Sequence, residues 1–283
     1  MMGVEEAARA KVNLDLCITG RRADGYHELD SVVVFGPVAD RLIFRPAPAL
    51  RLEITGRFAG ALAVEADNLV LRAARRLAGL AGIAPDVAIT LEKDLPVAAG
   101  LGGGSADAAA TLRGLDRLWR LGLSVAELMP VAQSLGADVP VCLLGRPARM
   151  RGVGEQLEPL HGLPEWHLLL VHPAVPCPTG RVFAELGAIS PRTWPEDPAS
   201  DWLGWLESRA NHLEAPACRL VPRIRDTLGA ISRQKGCRLA RMSGSGAACF
   251  GLFEDARAMA MAEAAIAIDH PGWWLASGTI ERR

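Results

Sequence analysis

The chain is poor in aromatic residues, 5% of its 283 positions, and Tyr26 is its one tyrosine. An excess of one charge is also missing, with 31 Lys and Arg against 32 Asp and Glu. A balance of this kind gives no general attraction for nucleic acid or a membrane surface, so any bound anion has to be held locally. No uninterrupted apolar run is long enough to cross a bilayer, and the first residues carry Glu5 and Glu6 where a signal segment would be apolar. Cys17, Cys142, Cys177, Cys218, Cys237 and Cys249 are scattered without a Cys-x-x-Cys pair, mostly in apolar surroundings. This predicts buried free thiols in a soluble, cytoplasmic protein. No Cys or His falls at metal-ligand spacing, which argues against a structural zinc site, and the absence of Gly-Lys-Ser/Thr excludes a Walker A loop.

What is present is enough apolar material, 50% of the residues, for a large core. We expect an α+β architecture in two lobes, residues 1–160 and 161–283, with the Pro-rich residues 173–178 as a linker. Residues 10–18 alternate, with Ala10, Val12, Leu14, Leu16 and Ile18 on one face and Lys11, Asn13 and Asp15 on the other. Further strands are expected at 29–35, 41–45, 50–54, 87–92, 139–144, 166–171, 238–253 and 273–280. A helix should start near Asp67-Asn68 and end at Gly82, and Ser124 to Glu127 has capping-box spacing for another, ending near Gly136 and kinked or divided at Pro130. Helices are also expected around 180–187, 200–213, 218–233 and 255–268. The basic groups Arg21-Arg22, Arg75-Arg76 and Arg146 to Arg151 read as solvated surface charge.

The most informative stretch is residues 96–106, a glycine cluster running into an alanine-rich helical pattern. Gly100, Gly102, Gly103 and Gly104 can adopt positive φ and turn their N–H groups toward an anion. Ser105 reads as the N-cap of a helix carrying Ala108, Leu112, Leu115 and Trp119 on one face, so the glycines lie at the positive end of its dipole. A tight turn would not need three consecutive glycines, and phosphate binding is the better reading. Asp138, in Gly136-Ala-Asp138-Val-Pro140, sits at a boundary between elements; alone it reads as a turn aspartate. Tyr26-His27, on a glycine-hinged loop, is suited either to stacking on a base and bonding its edge, or to capping the core. Ser243-Gly-Ser245-Gly246 is a second glycine loop, either a hairpin turn or a cover over a phosphate.

These segments, in this order, resemble the GHMP small-molecule kinase superfamily. The start Ala10-Lys11-Val-Asn13-Leu and Arg22-Ala-Asp-Gly-Tyr26-His27 narrow the likeness to the branch acting on a cytidine-bearing substrate. The resemblance runs from about residue 9 to about 253 and takes in Asp67-Asn68-Leu-Val, Lys93-Asp-Leu-Pro96, Gly152-Val-Gly-Glu155 and His172-Pro173. It implies a two-lobed fold and phosphorylation by ATP, with Mg2+ bridging ATP oxygens, of the 2-hydroxyl of 4-diphosphocytidyl-2-C-methyl-D-erythritol. That step belongs to the non-mevalonate route to isoprenoid precursors. Lys11 and Asp138 are the implied catalytic pair. Pro96, Val97, Ala98, Ala99, Gly100, Leu101, Gly102, Gly103, Gly104, Ser105 and Ala106 are the implied phosphate loop, with Asn68 and Lys93 near the nucleoside. Asn13, Tyr26, His27, Thr179 and Phe183 are the implied substrate residues, with Tyr26 and Phe183 around the cytosine. The chain departs from the better-known pattern at Val33, where an aromatic is common, and at Ser243 and Ser245, which replace threonines. The competing readings are a GHMP kinase for homoserine, mevalonate or a sugar, opposed by Tyr26-His27; a non-catalytic nucleotide sensor, opposed by retention of Lys11 and Asp138; and an RNA-binding module, opposed by the charge balance.

Overall fold

The computed structural model describes residues 3–62, 68–187, 198 and 200–280. Asp67, expected near the first helix start, lies outside them. The alternating stretch at 10–18 forms parts of two strands, β1 (Val4–Asn13) and β2 (Cys17–Arg21). Its apolar face is buried as the alternation predicts, but Lys11, Asn13 and Asp15 are buried too. A polar face that loses water needs partners inside the protein, and these three residues lead to the site described below. The runs expected at 29–35 and 41–45 are one strand, β3 (His27–Pro46), followed by β4 (Arg51–Thr55).

The chain divides into two compact units, each discontinuous in sequence. The first comprises Met1–Ala10, Ala39–Val97 and Gly102–Gly145; the second comprises Lys11–Val38, Ala98–Leu101 and Arg146–Arg283. Stretches 11–38 and 98–101 thus pack with the later half of the chain although they precede residue 145. In the first unit, α1 (Leu69–Ala81) buries Val70, Ala74 and Leu77, is capped by the Asn68 side chain accepting from Val70 N at 2.9 Å, and stops at Gly82 with φ +66°. It is followed by β5 (Val87–Glu92), which pairs antiparallel with the end of β3, Arg41 opposite Glu92, and parallel with β4, Arg51 opposite Ala88.

Next, α2 (Gly103–Trp119) buries Ala108, Leu112 and Leu115, and at Gly114 the absent Cβ makes room for the Phe44 ring. The helix α3 (Val125–Leu135) opens on the expected capping box: Ser124 Oγ accepts from Glu127 N, and Glu127 Oε2 accepts from Ser124 N. It continues undivided through Pro130. The strand expected at 139–144 is instead a helix, α4 (Val139–Leu144). Six apolar residues fit a buried strand or a buried helix equally by periodicity; here Pro140 suits a first turn and Gly145, at φ +66°, ends it.

The second unit contains a hairpin with no counterpart in the expected strands, β6 (Ala148–Gly152) and β7 (Gln156–Pro159), whose β6 pairs with the first half of β3. After β8 (His167–His172) the Pro-rich residues 173–178 do not link units, since both flanks belong to the second. Cys177 is buried there, its Sγ donating to Ser245 O at 3.2 Å. Then come α5 (Thr179–Ala184) and α6 (Trp202–Glu207). The helix expected at 218–233 is two, α7 (Glu214–Leu220) and α8 (Arg223–Ser232), because Pro222 disfavours helical backbone at Val221. The strand expected at 238–253 is likewise two, β9 (Cys237–Met242) and β10 (Cys249–Phe253). The chain continues with α9 (Ala256–Asp269) and β11 (Trp274–Thr279). The order β11-β8-β10-β9 is antiparallel throughout, and its Leu169, Val171, Met242 and Phe253 pack with Ile231 and Ile266 from α8 and α9. The mixed α+β class follows from these sheets and helices. All six cysteines are free, and all but the half-buried Cys237 are buried.

Candidate active site

The first unit holds a cavity of about 380 Å³. Leu62, Leu69, Leu91 and Val97 supply apolar wall, while Asn68, Lys93 and Asp107 supply polar groups. Lys93 is 2% exposed, with its ammonium held between the carboxylates of Asp40 and Asp107, the latter at 2.6 Å. Asp40 is itself anchored, its Oδ1 accepting from Asp94 N at 2.7 Å and Leu95 N at 2.8 Å. Burial works to lower the Lys93 pKa, but the two carboxylates outweigh it and the net shift is upward. Burial pushes Asp107 up to about 7, against the pull of Lys93. Asp107, in the cavity wall, and Asp40, which grips Lys93, are not among the candidate residues the sequence suggests. An acidic residue inside the alanine run of α2 was the available signal for Asp107; nothing local marks Asp40, whose partners are 53 residues or more away.

The glycine loop takes positive φ at Gly100 (+77°), Gly102 (+62°) and Ala98 (+53°), whereas Gly103 and Gly104, expected to be able to do the same, lie inside α2 and are not among the positive-φ residues. A Cβ at Gly100 would collide with the Ser243 carbonyl. The cap of α2 is Gly102, not Ser105, which lies one turn inside the helix; the left-handed backbone of Gly102 lets the helix begin earlier. Ala106 N bonds Gly102 O at 2.8 Å, so helix geometry leaves the N–H groups of Gly103, Gly104 and Ser105 without an intrahelical acceptor. Such a row at the positive end of a seventeen-residue helix fits phosphate oxygens. Pro96, Val97, Gly103 and Gly104 also line the 380 Å³ cavity, so that cavity lies beside this row.

In the second unit the loop's carbonyls are tied inward: Ala99 O accepts from Ala248 N at 2.9 Å, Gly100 O from Ser243 Oγ at 3.0 Å, and Leu101 O from Lys11 N at 2.8 Å. Lys11 is therefore fixed at its backbone, with its side chain 4% exposed. The Ser243 hydroxyl also accepts from Asn13 N at 3.2 Å, and Asn13 Nδ2 donates to Ser31 Oγ at 2.8 Å. The loop at 243–248 is thus the hairpin connection between β9 and β10, built into the back of the glycine loop. Asp138, in the first unit, occupies the cap position of α4, yet its side chain makes no cap bond.

A second cavity, about 650 Å³ and also in the second unit, is lined by Arg21, His27, Phe183 and Leu186 with glycines between them. The His27 and Phe183 rings stack at 5.1 Å with 28° between planes. Burial, then Arg21, lowers the His27 pKa, so the imidazole is neutral at pH 7 and offers one donor and one acceptor. Tyr26 is 64% exposed on the turn, its N–H bonded to Asp24 Oδ1 at 3.1 Å. Thr179 Oγ1 and Ser245 Oγ share a hydrogen bond of 2.7 Å. Behind β1, Arg209 pairs with Asp15 and with Asp30, and Arg149 holds Asp30 through two bonds of 2.8 and 2.7 Å. Arg149, expected on the surface, is 2% exposed. Burial raises the Asp30 carboxyl, but Arg149, Arg209 and Arg151 more than offset it and hold it below the usual range.

A partly apolar cavity beside a glycine-capped helix start fits a nucleotide-using enzyme, and the family profiles name small-molecule kinases. The profile described as GHMP kinases N terminal domain matches residues 68–146, and that described as GHMP kinases C terminal matches residues 200–268. A 4-diphosphocytidyl-2-C-methyl-D-erythritol kinase of Parvibaculum lavamentivorans is 51% identical over 96% of this chain and 96% of its own length. One from Bradyrhizobium diazoefficiens is 50% identical over 99% of both. The crystal structure of a 4-(cytidine 5'-diphospho)-2C-methyl-D-erythritol kinase superposes with a TM-score of 0.79 at 37% identity, covering 98% of each chain. Homoserine kinase from Cytophaga hutchinsonii has a TM-score of 0.75 at 19% identity, over 100% of this chain and 95% of its own, a likeness of fold alone. The chain belongs to the GHMP kinases and, within them, to the family of the 4-diphosphocytidyl-2-C-methyl-D-erythritol kinases.

Proposed function

We propose that this chain transfers the γ-phosphoryl group of ATP to the 2-hydroxyl of 4-diphosphocytidyl-2-C-methyl-D-erythritol, in the non-mevalonate route to isoprenoid precursors. The observation that carries the reading is half-identity to kinases of that name over nearly the whole chain. The two cavities support it, one suited to a nucleoside beside a phosphate-binding helix end, the other walled by stacked rings suited to a cytosine.

In this reading the N–H groups of Gly103, Gly104 and Ser105 receive the ATP phosphates, and Asn68 and Lys93 border the nucleoside. The stacked His27 and Phe183 rings offer one wall to the cytosine with Tyr26 at the rim, while Thr179 and Asn13 orient the rest of the substrate. Asp138 orients the attacking hydroxyl and accepts its proton; Lys11 offsets charge on the transferring phosphoryl. Phosphoryl transfer asks mainly for positioning and charge neutralisation, which these groups supply. Among the described residues no group of three or more His, Cys, Asp or Glu could hold a metal ion. Mg2+ bound with ATP would supply charge neutralisation at its phosphates. The free thiols support a cytoplasmic setting. Among the described residues no helix is long and apolar enough to cross a membrane.

A coupled ADP-release assay comparing the cytidylylated methylerythritol with homoserine, mevalonate and galactose tests the assignment. Turnover confined to the first is expected. Faster turnover of any of the others would overturn it.

A further inference from the structure

We propose that Ser31 is a positioning residue for the phosphoryl transfer: it fixes the Asn13 amide so that the substrate meets its oxygen and not its nitrogen. This rests on the reading above, in which Asn13 orients the substrate. Ser31 and Asn13 are both fully buried. The Ser31 hydroxyl donates to Asp15 O at 2.5 Å, and Asn13 Nδ2 donates to Ser31 Oγ at 2.8 Å. A hydroxyl has one proton and a backbone carbonyl can only accept, so that proton is committed to Asp15. Toward Asn13 the serine then offers lone pairs alone. An amide oxygen turned to it would stand acceptor against acceptor, which fixes Nδ2 on that side and Oδ1 on the other.

The frame behind this grip is itself fixed. Asp15 Oδ1 accepts from Val32 N at 2.6 Å, and its other oxygen accepts from Arg209. The same logic repeats at the main chain, where Asn13 N donates to Ser243 Oγ, whose own proton goes to Gly100 O. Of the Asn13 side chain only Oδ1 is uncommitted: among the described residues it has no hydrogen-bond partner. A buried amide oxygen in that state is unfavourable, and a ligand donor would relieve it. It stands 3.4 Å from the point a Cβ of Gly244 would occupy, and the Gly100 carbonyl oxygen is 3.0 Å from that same point, so this acceptor lies beside the glycine loop. Hydroxyls of the substrate can donate to it, whereas ionised phosphate oxygens cannot. With the amide reversed, Asn13 would offer a donor to phosphate instead. Ser31 thereby makes Asn13 a reader of hydroxyls.

The test is a double-mutant cycle of Ser31→Ala and Asn13→Ala, with kcat/KM for the cytidine substrate and KM for ATP measured in the wild type, both single variants and the double variant. Ser31→Ala is expected to lower kcat/KM about fivefold, the worth of one hydrogen bond, and to leave KM for ATP within about twofold. In the Asn13→Ala background the same change should cost less than about twofold, because no amide is left to orient. A serine that merely supports the fold would cost as much in both. Equal loss in the two backgrounds would overturn the proposal, and so would full activity in Ser31→Ala. If Ser31→Ala does not fold, Ser31→Cys, close in size but with a thiol that accepts weakly, enters the same cycle with the same expectations. An unchanged kcat/KM in Asn13→Ala overturns the proposal as well, by removing Asn13 from the site. Failure of the kinase reading is distinct: there, the wild type would give no transfer to the cytidine substrate at all.

Discussion

In the proposed reaction Asp138 is the proton acceptor, since an alcohol must lose its proton as the bond to phosphorus forms. The cap position of α4 holds it at a helix start without using its side chain for capping. Asp138→Asn keeps the size and removes the proton acceptor, so kcat should fall by about 10²–10⁴-fold while the Kd for ATP stays within about threefold. Near-normal turnover would remove Asp138 from the mechanism. Phe183→Ala should act on binding: with the His27 stack lost, KM for the cytidine substrate should rise about tenfold and kcat change little. An unchanged KM would show that the base sits elsewhere. Tyr26 and His27 could both be picked out from sequence as an aromatic pair on a loop, but not which ring turns inward. That depends on the β2–β3 register, Arg21 opposite His27, which is a tertiary fact.

At the scale of elements, what was legible was what is local. The Asn68 cap, the Gly82 stop and the Ser124 capping box are set by residues within one turn of each other, and each is found where the sequence puts it. The glycine loop was legible for the same reason, apart from the displaced cap. The helix at 139–144 was not, because its apolar residues carry no periodicity that separates helix from strand. Nor were Lys11, Asn13 and Asp15 as buried groups: what covers them includes Ser31, Arg209 and Ser243, from distant parts of the chain. Close packing between elements gives a further prediction. A methyl at Gly114 of α2 would run into the Phe44 ring, which is fully buried on β3 and cannot swing away. Gly114→Ala should therefore lower stability by about 1–3 kcal/mol, although alanine is the better helix former, read as a reduced urea midpoint with unchanged slope. A stabilised variant would mean that the ring repacks freely.

For the whole molecule, stability at acid pH is set by buried groups whose proton affinities change on folding. His172 is 7% exposed, accepts from Ala174 N at 3.3 Å through Nδ1, and has no hydrogen-bond partner at Nε2. Burial lowers its pKa from 6.5 to about 4. The unfolded chain therefore takes up this proton near pH 6.5 and the folded one only near 4. The contribution is complete above pH 6.5 and is lost as pH falls toward 4, to the extent of about 3 kcal/mol. Asp107 works in the opposite sense: the folded chain keeps its proton up to about pH 7 and the unfolded one releases it near 3.8. Its contribution is complete below that lower value and is lost as pH rises to 7, so the two groups partly cancel in the wild type. His172→Asn separates them, because an asparagine oxygen can still accept from Ala174 N but does not titrate. Measured by urea unfolding at fixed pH values between 7 and 4.5, the stability of the wild type relative to this variant should diminish steadily toward acid. A difference that stays constant across the window would show that His172 takes up its proton alike in the folded and unfolded chain.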